Sequence, residues 1–272
     1  MKSFLVTGAA GFIGSHVCEL LIKKRCKVIG IDNLTGGRLS NLNHLIKNKN
    51  FSFLKIDILK IKKLKNFLND FDYVIHLAGI GDIVPSIEQP KKYLMNNVIG
   101  TVNLLELIRG KKIKKFVYAA SSSCYGIART PTKETAKIDP KYPYALSKYL
   151  GEVVCMHWGN LYNIPVNSIR IFNAYGTRSR TSGAYGAVMG VFLKQIIAKK
   201  PLTIVGNGKQ KRYFLYASDV ALAFYKACTT KHKGKIWNIG SDNPKSIKEL
   251  VKILEYKKNI KIPKRPGEPK IT

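Results

Sequence analysis

Short apolar runs alternate with longer amphipathic segments along the first two thirds of the chain. β-Branched and aromatic residues dominate the short runs, which predict strands at 4–7, 27–31, 51–55, 73–77, 115–120 and 166–171. Apolar positions with helical spacing predict helices near 13–24, 60–69, 93–109 and 144–162. Strands that alternate with helices are typical of a parallel sheet covered on both faces. We therefore expect an α/β fold with a doubly wound parallel sheet.

The pattern changes after residue 172. The segment 173–186 is rich in Gly, Ser and Arg, as loops are, and helices then alternate with short strands near 202–205 and 236–239. We predict two domains, one at 1–172 that holds the sheet and a smaller C-terminal α/β lobe at 173–272. Because the sequence ends in a loop-like RPGEPKIT, we expect this lobe to be cut short.

Composition narrows the class of protein. The chain has 272 residues and is 45% hydrophobic, which suffices for a large domain and a lobe. No apolar run of membrane-spanning length occurs, and the start does not resemble a signal peptide. The five cysteines form no C-x-x-C pair and no cluster with histidine, so we predict neither a disulfide nor a metal site. A reducing cytoplasm suits such a chain.

The net charge of +31 has two explanations. One is binding of nucleic acid or of an anionic substrate. The other is a general preference for Lys, Ile and Asn, such as a genome rich in A and T produces. The lysines are dispersed and no nucleic-acid-binding motif accompanies them. We therefore expect neither a nucleic-acid nor a membrane partner, and only a weak attraction of diphosphates.

A glycine-rich loop follows the first predicted strand. Gly8, Gly11 and Gly14 are spaced three residues apart between that strand and a predicted helix. Glycines let the backbone turn sharply and approach phosphates, whose charge meets the helix N-terminus. Three glycines can also make a simple tight turn. In this context they predict a Rossmann dinucleotide site, to which Phe12 and Ile13 should also contribute.

An acidic residue ends the second predicted strand. Asp32 can bind both hydroxyls of the adenosine ribose, and its charge repels a 2′-phosphate, so we predict NAD rather than NADP. A helix cap is the alternative role for Asp32. His76 ends the fourth strand, where we expect a core histidine rather than a catalyst. Other residues expected beside the cofactor are Asn33, Asp57, Ile58, Leu77, Ala78 and Gly79.

Tyr144 and Lys148 lie four residues apart at the start of a predicted helix and therefore on one face. A free tyrosine has a pKa of about 10. We expect the neighbouring ammonium and the charge of a bound nicotinamide to lower this pKa, so that Tyr144 can act as a base. Lys148 can also hold the nicotinamide ribose. Because a serine run from Ser121 ends the fifth strand, we predict that Ser121, Tyr144 and Lys148 form a catalytic group.

Motifs along nearly the whole chain resemble those of the extended short-chain dehydrogenase/reductase family, in its NAD-dependent epimerase/dehydratase group. They are TGAAGFIGSH, DNLTGG, DI at 57–58, HLAG, NNVIGT, SSSCYG, YALSK, FNAYG, GNGKQKRYF and RPGEP. The resemblance, which extends to UDP-glucose and UDP-N-acetylglucosamine 4-epimerases, implies an enzyme. It would hold NAD in a Rossmann domain at 1–172 and a nucleotide-sugar in the lobe at 173–272.

The serine run favours epimerisation within this family. The resemblance implies that Ser121 hydrogen-bonds the reacting hydroxyl, and that members which eliminate water or carbon dioxide carry acidic residues just after it. Ser122 and Ser123 occupy those positions here, where we expect them to contact the substrate. Elimination requires a group that moves a second proton, which serine cannot readily do.

The reaction that the resemblance implies regenerates its cofactor. Tyr144, assisted by Ser121, removes the proton from the sugar 4-hydroxyl while carbon 4 passes hydride to NAD⁺. The 4-keto sugar then rotates, and hydride returns to its opposite face. Catalysis therefore needs tightly held NAD and consumes none.

The resemblance also implies a set of binding residues. Asn173, Arg212 and Arg265 match residues that bind the diphosphate, and Glu268 matches an acidic group near the ribose. Asn97 matches a cofactor-side asparagine, with packing or a helix cap as alternatives. We expect Arg178 and Arg180 at the surface.

Three positions bear on substrate and activity. Tyr213 stands where the family usually has Asp, which leaves the geometry at Arg212 open. Relatives continue for a few dozen residues beyond RPGEP, so the chain is expected to bind NAD well yet turn over poorly. A UDP-hexose is the expected substrate. Thr272 takes the place of a residue that limits room beside the sugar 2-substituent, which makes an N-acetylated sugar a further hypothesis.

Two other functions stay open. The chain could reduce a 4-keto sugar or epimerise another carbon, or it could hold NAD as a sensor without catalysis, although a sensor need not keep all three reactive residues. The resemblance also implies a homodimer, which pairs the helices at 93–109 and 144–162 with those of a second copy.

Overall fold

A parallel sheet forms the centre of the protein in the computed structural model, which describes residues 1–67, 69–179 and 188–263. The strands are β1 (Ser3–Thr7), β2 (Lys27–Asp32), β3 (Phe51–Lys55), β4 (Tyr73–His76), β5 (Lys115–Ser121), β6 (Val166–Ile171), β7 (Ala174–Tyr175), β8 (Leu202–Val205), β9 (Lys211–Arg212), β10 (Leu215–Tyr216), β11 (Lys235–Ile239), β12 (Lys245–Ser246) and β13 (Asn259–Ile262). Seven of them form the main sheet in the order β11-β6-β5-β4-β1-β2-β3, and each neighbouring pair is parallel. The predicted doubly wound α/β fold is confirmed.

Helices connect the strands and cover the sheet. They are α1 (Phe12–Lys23), α2 (Asn43–Ile46), α3 (Ile83–Glu88), α4 (Pro90–Leu94), α5 (Gly100–Ile108), α6 (Pro143–Leu161), α7 (Val188–Ile197), α8 (Ala217–Thr229) and α9 (Ile247–Ile253). No helix of the described residues is long and apolar enough to cross a membrane. All five cysteines are buried as free thiols.

Two predicted helices differ from the structure. The segment expected as a helix at 60–69 is a 3₁₀ helix, Ile58–Phe67, with a kink at Lys60. Its buried residues Ile58, Ile61 and Leu64 recur every third position, which matches three residues per turn better than the α-helical repeat. The helix expected at 93–109 is interrupted by a π-helical segment, Met95–Ile99, between α4 and α5.

Each face of the main sheet carries its own hydrophobic core. Alternation along β1 sends Phe4 and Val6 to one core and Leu5 to the other. Helices α1 and α8 close the first face, and α5 and α6 close the second. Both helix layers are thereby fixed over the faces of the sheet. The carboxyl ends of the strands remain available for a site.

Elements beyond residue 172 contribute to both parts of the fold. Strand β11 is an edge strand of the main sheet, and α8 packs against α1. The sequence pattern did not predict that these C-terminal elements return to the main sheet, because it orders the elements along the chain and does not show which of them pair. A separate small core joins α7, α9 and β8, where Phe192, Leu202 and Leu250 meet. The division into domains at 1–172 and 173–272 stays a prediction.

A buried ion pair ties α6 to the main sheet. Nη2 of Arg170, on β6, lies 2.5 Å from Oε1 of Glu152, and the two side chains are 4% and 2% exposed. Ser168 donates a hydrogen bond to Glu152 Oε2, and Arg170 Nη1 donates to the hydroxyl of Tyr125. The pair therefore satisfies its hydrogen bonds, as buried charges must.

We expect Arg170→Met to lower the free energy of unfolding by about 3–5 kcal/mol, because it leaves the carboxylate of Glu152 buried without its cation. Urea unfolding measures this change. Arg109→Met is the control, since it removes an exposed partner of Glu106 and should cost about 0–1 kcal/mol. Equal losses in the two variants would show that burial adds nothing to the ion pair.

Candidate active site

A cavity of about 1400 Å³ opens at the carboxyl ends of the main-sheet strands. The loop between β1 and α1 lines one part of the cavity. Residues of β9, and those between β9 and β10, line another part. Ligands collect at this edge in doubly wound folds because the loops that follow parallel strands converge there. The cavity is therefore the candidate site.

The glycine loop is shaped for close approach. Gly8 has φ +69°, and a Cβ at Gly14 would lie only 2.0 Å from the carbonyl oxygen of Gly8. Larger residues at either position would displace the backbone. The N-cap of α1, Gly11, offers no side-chain cap, and both Phe12 and Ile13 line the cavity. The first N–H groups of a helix have no partner within the helix and are therefore donors for a ligand. The loop fits a dinucleotide diphosphate.

Asp32 shapes the far side of this loop. Its Oδ2 accepts from the N–H of Ala10 at 3.1 Å and its Oδ1 from that of Leu34 at 2.7 Å. Neither donor belongs to a helix, so the carboxylate is not a helix cap. Burial raises the pKa of Asp32, and the two backbone hydrogen bonds oppose that rise. Asn33 donates to Asp57 Oδ2 at 3.0 Å, which joins the ends of β2 and β3 where Ile58 also lines the cavity.

His76 is a core residue, as predicted. Its Nδ1 lies 2.6 Å from the hydroxyl of Thr7 and its Nε2 lies 2.9 Å from that of Thr101. Because Thr101 donates to the carbonyl of Asn97, the arrangement matches a neutral ring that donates from Nε2 and accepts at Nδ1. Burial, followed by the charge of Lys148, lowers the pKa of His76 to about 3.

The end of β4 reaches the cavity through a short loop. The N–H groups of Leu77 and Ala78 donate to the hydroxyl of Thr7, which fixes the first residues of that loop. Leu77, Ala78 and Gly79 all line the cavity. A Cβ at Gly79 would lie 2.8 Å from Asn97 Oδ1, so this glycine lets the loop pass close to the π-helical segment.

Asn97 holds this loop from behind. Its Oδ1 accepts from the N–H of Ile80, and its Nδ2 donates to the carbonyl of Ile80 and to the hydroxyl of Ser147. The side chain is 1% exposed and does not line the cavity. The structure therefore gives Asn97 a packing role between the loop and α6, which was the alternative to direct cofactor contact.

Ser121, Tyr144 and Lys148 all line the cavity. Ser121 Oγ lies 2.7 Å from Ser123 Oγ. Burial raises the pKa of Tyr144, the hydroxyls of Ser121 and Ser123 oppose the rise, and the negative charge of Asp82 adds to it. Loss of hydration thus outweighs these nearby donors. The predicted lowering of the pKa depends on the charge of a bound nicotinamide and stays a prediction.

Lys148 is buried beneath the same cavity wall. Loss of hydration lowers the pKa of its ammonium to about 8, while Cys155 and Glu152 favour the charged form. The lysine can therefore exchange a proton close to neutral pH, which suits a group in a proton-transfer site. Tyr93 contacts the phenol of Tyr144 edge-on, with ring centroids 6.5 Å apart, a neighbour that the sequence pattern did not single out.

The expected substrate residues are brought together in part. Ser122, Ser123, Asn173 and Arg212 line the cavity, as does Tyr213. Arg265 and Glu268, together with Arg180 and Thr272, lie outside the described residues.

The prediction that Arg178 lies at the surface is wrong. Its side chain is only 20% exposed, lines the cavity and pairs with Glu19 on α1. The carbonyl of Thr177 also contacts His16. These contacts between distant parts of the chain fix the loop after β7 against α1. No local pattern in the sequence predicts them.

The loop, the carboxylate and the serine, tyrosine and lysine side chains at one sheet edge define a dinucleotide-binding enzyme of the short-chain dehydrogenase class. The chain belongs to the NAD-dependent epimerase/dehydratase family, whose model matches residues 4–240. It is 37% identical to a UDP-glucuronate 4-epimerase of Thermodesulfobacterium geofontis over 94% of this chain and 80% of that relative.

Solved structures agree with this assignment. A UDP-N-acetylglucosamine 4-epimerase from Methanobrevibacter ruminantium, in complex with UDP-N-acetylmuramic acid, is 31% identical and has a TM-score of 0.94 over 100% of this chain and 88% of its own. A UDP-glucuronic acid 4-epimerase from Bacillus cereus, in complex with UDP-glucuronic acid and NAD, is 35% identical and has a TM-score of 0.91 over 100% and 89%.

The low pKa of His76 predicts a dependence of stability on pH. The unfolded histidine takes up a proton near pH 6.5 and the folded one only near pH 3, so the free energy of unfolding should fall by about 1.4 kcal/mol per pH unit as pH drops through that window. His76→Gln should flatten the slope measured by urea unfolding. The exposed His232→Gln should leave it unchanged, and a slope equally steep in His76→Gln would contradict the prediction.

Proposed function

We propose that the protein is an NAD-dependent UDP-sugar 4-epimerase. The observation that carries this proposal is the convergence of Ser121, Tyr144 and Lys148 in the same cavity as the glycine loop and Asp32. The serines at 122 and 123 support it, because neither offers the carboxyl group that elimination needs. The similarity to several UDP-sugar 4-epimerases supports it further.

The proposed roles follow from the positions of the side chains. Bound NAD supplies the acceptor for the hydride of carbon 4 and returns it. Tyr144 takes the proton of the 4-hydroxyl as the carbonyl forms and gives it back when the alcohol reforms. Ser121 donates a hydrogen bond to the same sugar oxygen, and Lys148 holds the nicotinamide ribose and favours the tyrosinate by its charge.

The contacts with the cofactor are part of the same proposal. The backbone of the glycine loop would bind the diphosphate, and Asp32 would accept from the ribose hydroxyls, which excludes NADP by repulsion of a 2′-phosphate. Asn33, Asp57 and Ile58 would enclose the adenine end. Leu77, Ala78 and Gly79 would line the nicotinamide end.

The sugar nucleotide would occupy the part of the cavity nearest to β9. Ser122 and Ser123 would contact the hexose, while Asn173 and Arg212 would bind its diphosphate, because an arginine fork matches phosphate oxygens. Arg265 and Glu268 keep their expected roles at the diphosphate and the ribose. The choice among glucose, glucuronate and N-acetylated forms stays open, since related 4-epimerases act on each.

An assay with purified protein tests the function. UDP-glucose, UDP-N-acetylglucosamine, UDP-glucuronate and their 4-epimers are incubated with NAD, and products are separated by chromatography. We expect interconversion of at least one pair without net NADH formation. Tyr144→Phe should lower the rate at least ~100-fold, because the general base is lost.

A matched variant and the alternative functions complete the test. Tyr225→Phe removes a hydroxyl from α8, outside the cavity, and should leave the rate unchanged. Stoichiometric consumption of NADH would indicate a 4-keto reductase instead. Bound NAD with no turnover of any UDP-sugar would contradict the proposal and favour a sensor or another nucleotide.

We also propose that two copies pair through α6 and the helical segment 90–108. Apolar side chains on these helices are exposed, namely Met95, Ile99, Leu146, Val153 and Leu161. Sedimentation velocity should show a dimer that Val153→Asp dissociates, because a charge in an apolar interface loses its hydration. Ile253→Asp, on α9 and also at an exposed position, is the control, and a monomeric wild-type chain would refute the pairing.

A further inference from the structure

One aromatic ring lies directly against the ammonium of Lys148. Nζ of Lys148 is 4.4 Å from the centroid of Tyr118, a residue of β5 that is 1% exposed. At this distance the face of an aromatic ring attracts a cation, most strongly where water is excluded. Tyr118 does not line the cavity, so its ring can act on the lysine without contacting a ligand there.

The ring is held firmly in this position. A Cβ at Gly151 would lie 2.2 Å from the hydroxyl of Tyr118, so a glycine on α6 makes room for that hydroxyl. The hydroxyl also lies 3.4 Å from the carbonyl oxygen of Lys148. On its other side the ring contacts His76, with centroids 5.6 Å apart.

Among the groups around Lys148, the ring of Tyr118 is a close contact that stabilises the charged ammonium. His76 on β4 is neutral at physiological pH because its pKa is about 3. Glu152 and Cys155 on α6 act on Lys148 through space, and Tyr144 lies one helical turn before it on the same face. Burial removes the water that an exposed ammonium would keep.

We infer that Tyr118 is a positioning residue for the reaction, because its ring face holds the Lys148 ammonium in the orientation needed at the nicotinamide ribose. This inference rests on the role of Lys148 in the proposed function. The relevant feature is the ring and not the hydroxyl, since the lysine Nζ contacts the ring face. Phenylalanine should therefore replace Tyr118, whereas an aliphatic side chain should not.

The test measures the lysine directly and the reaction separately. Trace acetylation with acetic anhydride over a pH series, followed by mass spectrometry of the Lys148 peptide, gives the pH midpoint of its reactivity. In Tyr118→Leu we expect this midpoint to fall by about one pH unit and kcat/KM to fall roughly tenfold, because the charged form loses its ring partner. In Tyr118→Phe the midpoint should stay within about 0.3 pH units of wild type, and kcat/KM should stay within about twofold.

A second ring on the same strand provides the control. Phe116 is buried on β5 and also contacts His76, so Phe116→Leu removes similar packing but leaves the ring beneath the lysine. It should keep the wild-type midpoint. Tyr118→Met repeats the test with an unbranched side chain that adapts to irregular gaps, should the leucine variant fold poorly.

The outcomes separate this inference from the proposed function. An unchanged midpoint in folded Tyr118→Leu or Tyr118→Met, or an equal fall in Phe116→Leu, would overturn the role of Tyr118. Absence of any UDP-sugar epimerisation in the wild type would refute the proposed function instead, while the acetylation midpoints would still decide whether the ring holds the ammonium.

Discussion

The position of α6 against the main sheet is the constraint on which the candidate site depends. The helix carries Tyr144 and Lys148 on one face, and its next turns are fixed by the buried contact between Glu152 and Arg170. Gly151 allows the helix to approach Tyr118 more closely than any other residue would permit. A displacement of this helix would move both ionisable groups together, because neither is held by a flexible loop.

Burial sets the electrostatics of the two groups in opposite directions. Loss of hydration raises the pKa of Tyr144 and lowers that of Lys148, so each is driven towards its neutral form. A proton can therefore pass between phenol and sugar oxygen only if another charge favours the tyrosinate. The ring of Tyr118 retains the ammonium of Lys148 beside the site. This contact explains how a charged lysine persists at a buried position close to the base.

Much of the site was predictable because it depends on local motifs placed by strand order. Glycines between a strand and a helix, a carboxylate after β2 and serines after β5 all converge once the strands are parallel. What the sequence could not supply depends on distant contacts. The hydrogen bonds of Asn97 to Ile80 and Ser147, the pairing of Arg178 with Glu19 and the return of β11 to the sheet each join residues far apart in the chain.

The two sides of the cavity have different physical tasks. Residues on the main sheet and α6 are fixed by two large cores, which suits groups that must meet reacting atoms within a fraction of an ångström. Arg212 lies on β9, which pairs with β12 just before α9, a helix of the smaller core. Binding of the nucleotide diphosphate should accordingly follow residues of the lobe, while loss of catalysis should follow those of the main sheet and α6.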